Sequence, residues 1–598
     1  MAPASVQRLL QKWGLPILTL FTFFFLLGCR ALNEPDEGRY AEIAREMLQT
    51  GNWLVPHLWY LPHLDKPPLA YWLIAISMKF FGQNEWAVRL PIALAGVSGV
   101  WAAFLLGGAV GGRRVAIWSA LLLQSMLLYF VMARMLTTDI FLTQFVAWAL
   151  YFFWRSWWAM QSQAADQKLN FFSWHLAGWL AIAAGFLVKG PIAVAAPLVP
   201  FLILLIFRRR QSAIPTFLAG AGAGFLLFFA VAAPWFLIVF QRVPGSARYM
   251  ILGQAAGHLL GTTIKNRPGG AFYFFGILAI GLVPWTALPG WLWRRNHWRK
   301  LDPIAKDGWL FLNAAAIFTF VLFSLSRAKL PAYILPVFPP LAILMAWRFF
   351  GPNAIAMPKM AWRISLVLAL LLPTIFPVLL RVAFLDSTPL WLRCQTPALA
   401  VAALLIFRLA RQWQPTAIAA AAAGLALFGF LLTTAEIPPF QTTLRDNQTL
   451  KPIGLELANA IKPGDALVCW GKFPEGLPFY AGDAISPVHR PWLGDVDLTQ
   501  VPFEFPGNRE RDADRLLPDA SALARMVESR QRVWIVAFGA TLAKFHNAHP
   551  SLVLHPVMRC GQWQLFVNHD EPGPSREDSR LSSNFTLNSS VCPLKVFP

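Results

Sequence analysis

The sequence predicts an α-helical polytopic membrane protein that carries a soluble α/β domain at its carboxyl end, and three observations lead there. Of the 598 residues 57% are hydrophobic, with 27 Trp, 48 Phe and a mean hydropathy of +0.50, which is more apolar surface than one water-surrounded core can hide. Apolar runs of roughly 17–25 residues, long enough to cross a bilayer, recur about thirteen times between Leu15 and Leu432. From Thr433 the runs stop and shorter strand-like and helix-like segments alternate instead.

Taken in order, three regions follow: a membrane region over residues 1–432, an α/β domain over 433–569, and a polar tail over 570–598 whose SREDSRLSSNFTLNSS composition predicts disorder. The first apolar run lacks a small-residue cleavage site and reads as a retained first helix. Linkers such as QRLLQKW, GGRR, RRRQ, WRRNHWRK and RLARQWQ alternate with less basic ones, which assigns them to the cytoplasm. With an odd number of spans the soluble domain then lies outside, which in a bacterial inner membrane means the periplasm. Within that domain DALVCWGKF, RVWIVAFG, SLVLHPV and QWQLFV read as strands, and IGLELANAI and DASALARMVES as helices.

The first outer loop, NEPDEGRYAEIAREMLQTGNWLVPHLWYLPHLDKPP, is the most charged stretch of the membrane region. Pro35 and two acids suit a helix start; Tyr40, Ile43, Ala44, Met47 and Leu48 recur at helical spacing until Gly51. The reading is a short amphipathic helix lying on the outer membrane face. Asp36 and Arg39 fall one turn apart at its start, and Lys66 with its Pro67-Pro68 stop sits at headgroup depth, either meeting a phosphate or snorkelling to anchor the helix end. Further outer turns supply Arg134 and Asp139, then Lys189, then Arg248, His258, Lys265 and Arg267, and finally Arg327, Lys329 and Tyr333.

Charge counts sharpen the reading. Residues before Thr433 hold 35 Lys and Arg against 12 Asp and Glu, whereas the remainder holds 16 against 18. The basic excess therefore belongs to membrane loops and calls for no nucleic-acid partner. Separate loops that aim cations at one side of a bilayer suit an anionic, phosphate-bearing lipid substrate. Carboxylates at span ends, Glu34, Asp36, Glu37, Asp65 and Asp139 among them, are costly there and so are functional candidates, with ordinary ion pairing as the alternative. No P-loop or glycine fingerprint at a strand-to-helix turn is found, nor any CxxC spacing. Among Cys29, Cys394, Cys469, Cys560 and Cys592, the strand-borne Cys469 and Cys560 are a candidate disulfide. A lipid flippase would also be polytopic and basic, but internal repeats and mid-membrane charges are expected of it.

PDEGRYAEIAREMLQTGNWLVPHL, LDKPPLAYWL, RMLTTD, LVKGP and SRAKLPAYILP resemble, in order and position, the bacterial 4-amino-4-deoxy-L-arabinose transferases that modify lipid A. These are polyprenyl-phosphate-sugar glycosyltransferases of the class C (GT-C) fold, related to the protein O-mannosyltransferases. The resemblance spans roughly Leu15 to Leu432. It implies an undecaprenyl-phosphate-linked donor and lipid A or another membrane-proximal acceptor, with a different sugar or a protein hydroxyl acceptor as the alternative. It implies catalytic roles for Asp36, Glu37 and Asp139. Lys66, Arg267 and Tyr333 are matched to the lipid phosphate, and Arg39, Arg134, Lys189 and Lys329 join them as substrate-binding candidates. No cofactor is required, although family members can bind zinc through a Glu before KPP and a loop histidine; Asp65 and His258 take those places here.

Overall fold

The computed structural model describes residues 4–161, 165–208, 214–256, 269–270, 272–293, 301–352, 354, 359–370, 408, 414–434, 449–499, 501–529, 531–539 and 541–569. The membrane region consists of helices α1 (Ala4–Phe24), α2 (Asp36–Thr50), α3 (Leu69–Phe81), α4 (Glu85–Gly111), α5 (Arg113–Gln124), α6 (Leu127–Met132), α7 (Asp139–Met160), α8 (Ala165–Lys189), α9 (Ile192–Arg208), α10 (Ile214–Arg242), α11 (Tyr273–Gly281), α12 (Pro303–Leu325), α13 (Phe338–Phe350) and α14 (Pro415–Thr434). Among the described residues five helices are long and apolar enough to cross a membrane, and four further apolar helices are shorter. Other spans expected within 371–407 lie outside the described residues.

Local chemistry sets the ends. Asn84 caps α4 by accepting from the Ala87 amide at 2.8 Å, and Asp302 caps α12 by accepting from the Ala305 amide at 2.8 Å with Pro303 next in line. Gly51 ends α2 at φ +69°, a left-handed conformation open to glycine. Helices α7 and α8 lie along each other, and α4 packs against both α5 and α7. The Tyr129 hydroxyl donates to the Gly96 carbonyl at 2.8 Å, tying α6 to α4.

The α/β domain begins with α15 (Lys451–Ala460) and continues through β3 (Ala466–Trp470), α16 (Leu477–Ala481), β4 (Trp492–Gly494), β5 (Leu516–Leu517), α17 (Ala520–Glu528), β6 (Val533–Phe538), α18 (Thr541–Ala548), β7 (His555–Cys560) and β8 (Trp563–Val567). A separate hairpin, β1 (His57–Leu58) with β2 (Leu61–Pro62), belongs to the first outer loop. The large sheet runs β5-β4-β3-β6-β8-β7, parallel from β5 to β6 and antiparallel beyond. Strands β4 and β5 are too short to leave an alternation in the sequence. Neither Cys469 nor Cys560 is in a disulfide. They stand on β3 and β7, three strand steps or about 14 Å apart, and a disulfide needs Cα atoms within about 7 Å, so the candidate bridge is not made.

The first outer loop also differs from expectation. Rather than lying on an open membrane face, α2 is buried from Glu37 through Met47. It rests on α3 from one side and meets α16 of the α/β domain on the other. Several of its polar residues are paired inside: Arg45 grips Glu42 at 2.8 and 2.7 Å and reaches Gln49 at 3.0 Å. The stripe Ile43, Ala44, Met47 is a core stripe, and the polar face that a surface helix would show to water is covered by protein.

Candidate active site

Asp36 opens α2, and its carboxylate is the exposed one of the loop, 45% accessible, with the Arg39 guanidinium at 3.4 Å. Glu37 next to it faces inward. Its two oxygens accept from Arg30 at 2.7 and 2.9 Å, from Arg89 at 3.0 and 3.0 Å, and from the amides of Asn33 and Leu136 at 3.1 and 3.0 Å. Burial pushes this carboxyl up, but the Arg30 and Arg89 charges outweigh burial and hold it well below the usual carboxylate range. With six donors on it, Glu37 has no direction left for a substrate.

Beside Asp36 several span ends converge. Lys66 donates to the Asp65 carbonyl at 3.0 Å and lies 3.4 Å from the Asp65 carboxylate. Lys189, at the end of α8, pairs with Asp139 at the start of α7, and its ammonium lies 4.5 Å from the centre of the Tyr333 ring. Lys66 and Asp65 are close enough to Lys189 for their charges to act on it. Tyr40 joins the two sides: burial pushes its hydroxyl up, and the charges of Asp36, Asp65 and Asp139 add to that. Residues from α2, the KPP turn, α7, α8 and the KLPAYILP segment thus share one mouth.

Other candidates are used elsewhere. Arg134 donates to the Thr22 and Phe23 carbonyls, each at 3.0 Å, and to that of Phe25 at 2.6 Å, closing the carboxyl end of α1. Lys329 donates to the Ser324 and Ser326 carbonyls at 2.7 and 2.9 Å and closes α12 in the same way. Arg39 is held by Glu475 of the α/β domain, with one contact at 3.0 Å. Arg267 and His258 lie outside the described residues. Among the described residues no three His, Cys, Asp or Glu side chains gather as metal ligands. Asp65 shares its carboxylate with Lys66, and the histidine expected to join it on a zinc ion, His258, is outside the described residues.

Two residues carry no signal in the sequence: Glu475 and Arg89. Glu475 follows a parallel strand, the place where α/β sheets put functional groups, but nothing in GKFPEG marks its partner as Arg39.

Residues 65–236 match the dolichyl-phosphate-mannose-protein mannosyltransferase family. The chain is similar to the undecaprenyl phosphate-α-4-amino-4-deoxy-L-arabinose arabinosyl transferases of Edwardsiella ictaluri, 34% identical over 358 residues, and Yersinia enterocolitica, 32% identical over 350 residues. These matches cover 59% and 57% of this chain and 62% and 60% of those relatives, so the chain spans about three fifths of their length. Over the whole fold, the crystal structure of ArnT from Cupriavidus metallidurans bound to undecaprenyl phosphate superposes with a TM-score of 0.74, covering 94% of this chain and 99% of that one at 24% identity. The chain has the ArnT fold. The apo form of the same ArnT gives 0.73. The resemblance seen in the outer-loop motifs therefore extends, as ArnT architecture, into the α/β domain, where those motifs were silent.

Proposed function

We propose that this protein is a multi-pass inner-membrane glycosyltransferase that moves 4-amino-4-deoxy-L-arabinose from undecaprenyl phosphate to lipid A on the periplasmic face. One observation carries the reading: the exposed Asp36 carboxylate stands at a mouth whose other members, Lys66, Lys189 with Asp139, and Tyr333, come from the ends of separate apolar helices. A lipid phosphate that enters this mouth meets the Lys66 ammonium. The similarity to transferases named for this donor supports the choice of sugar carrier.

The reaction breaks the bond between the sugar's anomeric carbon and the donor phosphate oxygen, and the electron pair leaves with undecaprenyl phosphate. Lys66 stabilises that growing negative charge in a site largely screened from water, where fixed cations act strongly. The acceptor oxygen forms the new bond to the anomeric carbon. A lipid A phosphate is already ionised, so Asp36 acts on it by orientation and by stabilising the positive character of the anomeric carbon. The match to protein mannosyltransferases over 65–236 favours a second reading, a hydroxyl acceptor whose proton passes to Asp36. Glu37 positions the start of α2 in either case. Mass spectrometry of lipid A from cells expressing the wild type or Asp36→Asn tests the proposal: an aminoarabinose mass addition is expected with the first and not with the second. Equal modification by both contradicts it.

A further inference from the structure

The α/β domain turns a particular end of its sheet toward the membrane helices. Open parallel sheets hold ligands at the carboxyl ends of their strands, where successive connections leave in opposite directions. Here that point lies between β3 and β6, because the chain leaves β3 toward β4 and β5 and then returns to the other side of β3 as β6. The loops after these two strands meet: a Cβ at Gly471 would collide with the Thr541 side chain. The loop after β3 runs on to Glu475 and Gly476, and what it holds is the start of α2.

That grip is close and polar. Glu475 binds Arg39 through both carboxylate oxygens, and its carbonyl accepts from the Trp59 indole at 3.3 Å. The Gly476 amide donates to Glu34 at 3.0 Å. A Cβ at Gly38 would lie 2.8 Å from the Gly476 Cα, so backbone rests on backbone and neither glycine tolerates a side chain without a shift. The Arg39 and Glu475 side chains are only 10% and 9% exposed. Arg39 also reaches Asp36. A chain of contacts thus runs from the β3 loop through Glu475 and Arg39 to the exposed carboxylate.

We propose that Glu475 is a positioning residue for sugar transfer, fixing the direction of the Asp36 carboxylate through Arg39 and so making the α/β domain a working part of the active site. The proposal rests on the reading of Asp36 given above. Without the Glu475 charge, a buried Arg39 turns to Asp36 for compensation and draws it away from the acceptor. The donor phosphate, held at the KPP turn, is not affected. The predicted signature is therefore a loss in kcat without a change in donor KM.

The test uses the full-length protein in liposomes with undecaprenyl-phosphate-linked aminoarabinose and lipid A. Glu475→Gln is expected to lower kcat about 10- to 100-fold, the scale of a misplaced reacting group, with donor KM unchanged within about twofold. Glu475→Asp, which keeps the charge, is expected to recover part of the loss. The double variant Arg39→Gln, Glu475→Gln should be no slower than Arg39→Gln alone, since both act through one contact. Lys451→Met is the control, because Lys451 pairs with Glu85 at 2.6 Å and ties the same domain to the start of α4; it should keep wild-type kcat. The proposal is overturned if Glu475→Gln turns over normally, if the losses add, or if Lys451→Met is as slow, which would make docking alone the cause. A wild type that transfers no sugar overturns the functional reading and this proposal with it, whereas an active wild type isolates the proposal.

Discussion

Two groups of charges occupy the same end of the membrane helices and are built on opposite plans. In the first, every charge is used up inside the protein: Glu37 takes six donors from Arg30, Arg89 and two amides, Arg134 covers three carbonyls of the α1 end, and Lys329 covers two at the α12 end. In the second, Lys66 has Asp65 alone among the described residues, Lys189 has Asp139 beneath the Tyr333 ring, and Asp36 faces outward. A basic residue at a span end is thus not a phosphate ligand by position; what decides is how many carbonyls or carboxylates already surround it. Asp36 and Glu37 show the division at its sharpest. A helix turns about 100° per residue, so neighbours in sequence face different groups.

The largest effect is expected at Glu37. Removing one partner from a buried ion pair costs about 3–5 kcal/mol, so Glu37→Ala, which strands Arg89 and Arg30, should not yield a monodisperse protein in detergent. A well-behaved variant with a wild-type melting temperature would dissolve the distinction between the two groups. Arg134→Met comes next. Losing charge-assisted hydrogen bonds to buried carbonyls, worth about 1.5–3 kcal/mol each in the best case, should lower the melting temperature by several degrees and leave donor KM as it was. A raised KM would move Arg134 into the site.

A smaller effect is expected from pH. Burial pushes the Glu34 carboxyl up to about 8, and the Glu475 charge adds to this, while the Gly476 amide, Arg39 and Lys472 oppose it. Its Oε2 has no hydrogen-bond partner among the described residues. The folded protein therefore holds this proton more tightly than the unfolded chain. The stabilisation is full below about pH 4.5 and is lost as pH rises through about 8. The melting temperature should fall across that window, and Glu34→Gln should flatten the fall. An unchanged slope in Glu34→Gln would place the titrating group elsewhere.

Much of this was legible in the sequence, for reasons that also mark its limits. The apolar runs and the strand patterns at DALVCWGKF and RVWIVAFG are periodic signals, and β3 and β6 appear where they predict. The outer-loop motifs placed Asp36, Lys66, Asp139, Lys189 and Tyr333 near one another, because span ends on one side of a membrane are already confined to a plane. Partners were not legible. Nothing near Arg134 says that it will cover the end of α1, more than a hundred residues earlier, and nothing near Arg39 points to Glu475, over four hundred residues later. The amphipathic pattern of α2 shows one apolar face in the sequence; that a second domain covers the other face has no local signature. Long-range pairing of charges is a property of the packed structure, and a single sequence gives the charges without the pairs.

The central claim, that the mouth charges and not the buried ones hold the donor, is tested most directly by measuring the binding of undecaprenyl phosphate to purified Lys66→Ala and Arg134→Met proteins beside the wild type. Loss of one charge-assisted contact in a screened site should weaken binding to Lys66→Ala about 10- to 100-fold, with its melting temperature unchanged, while Arg134→Met binds as the wild type does. Wild-type affinity in Lys66→Ala, or equal weakening in both, would contradict the account.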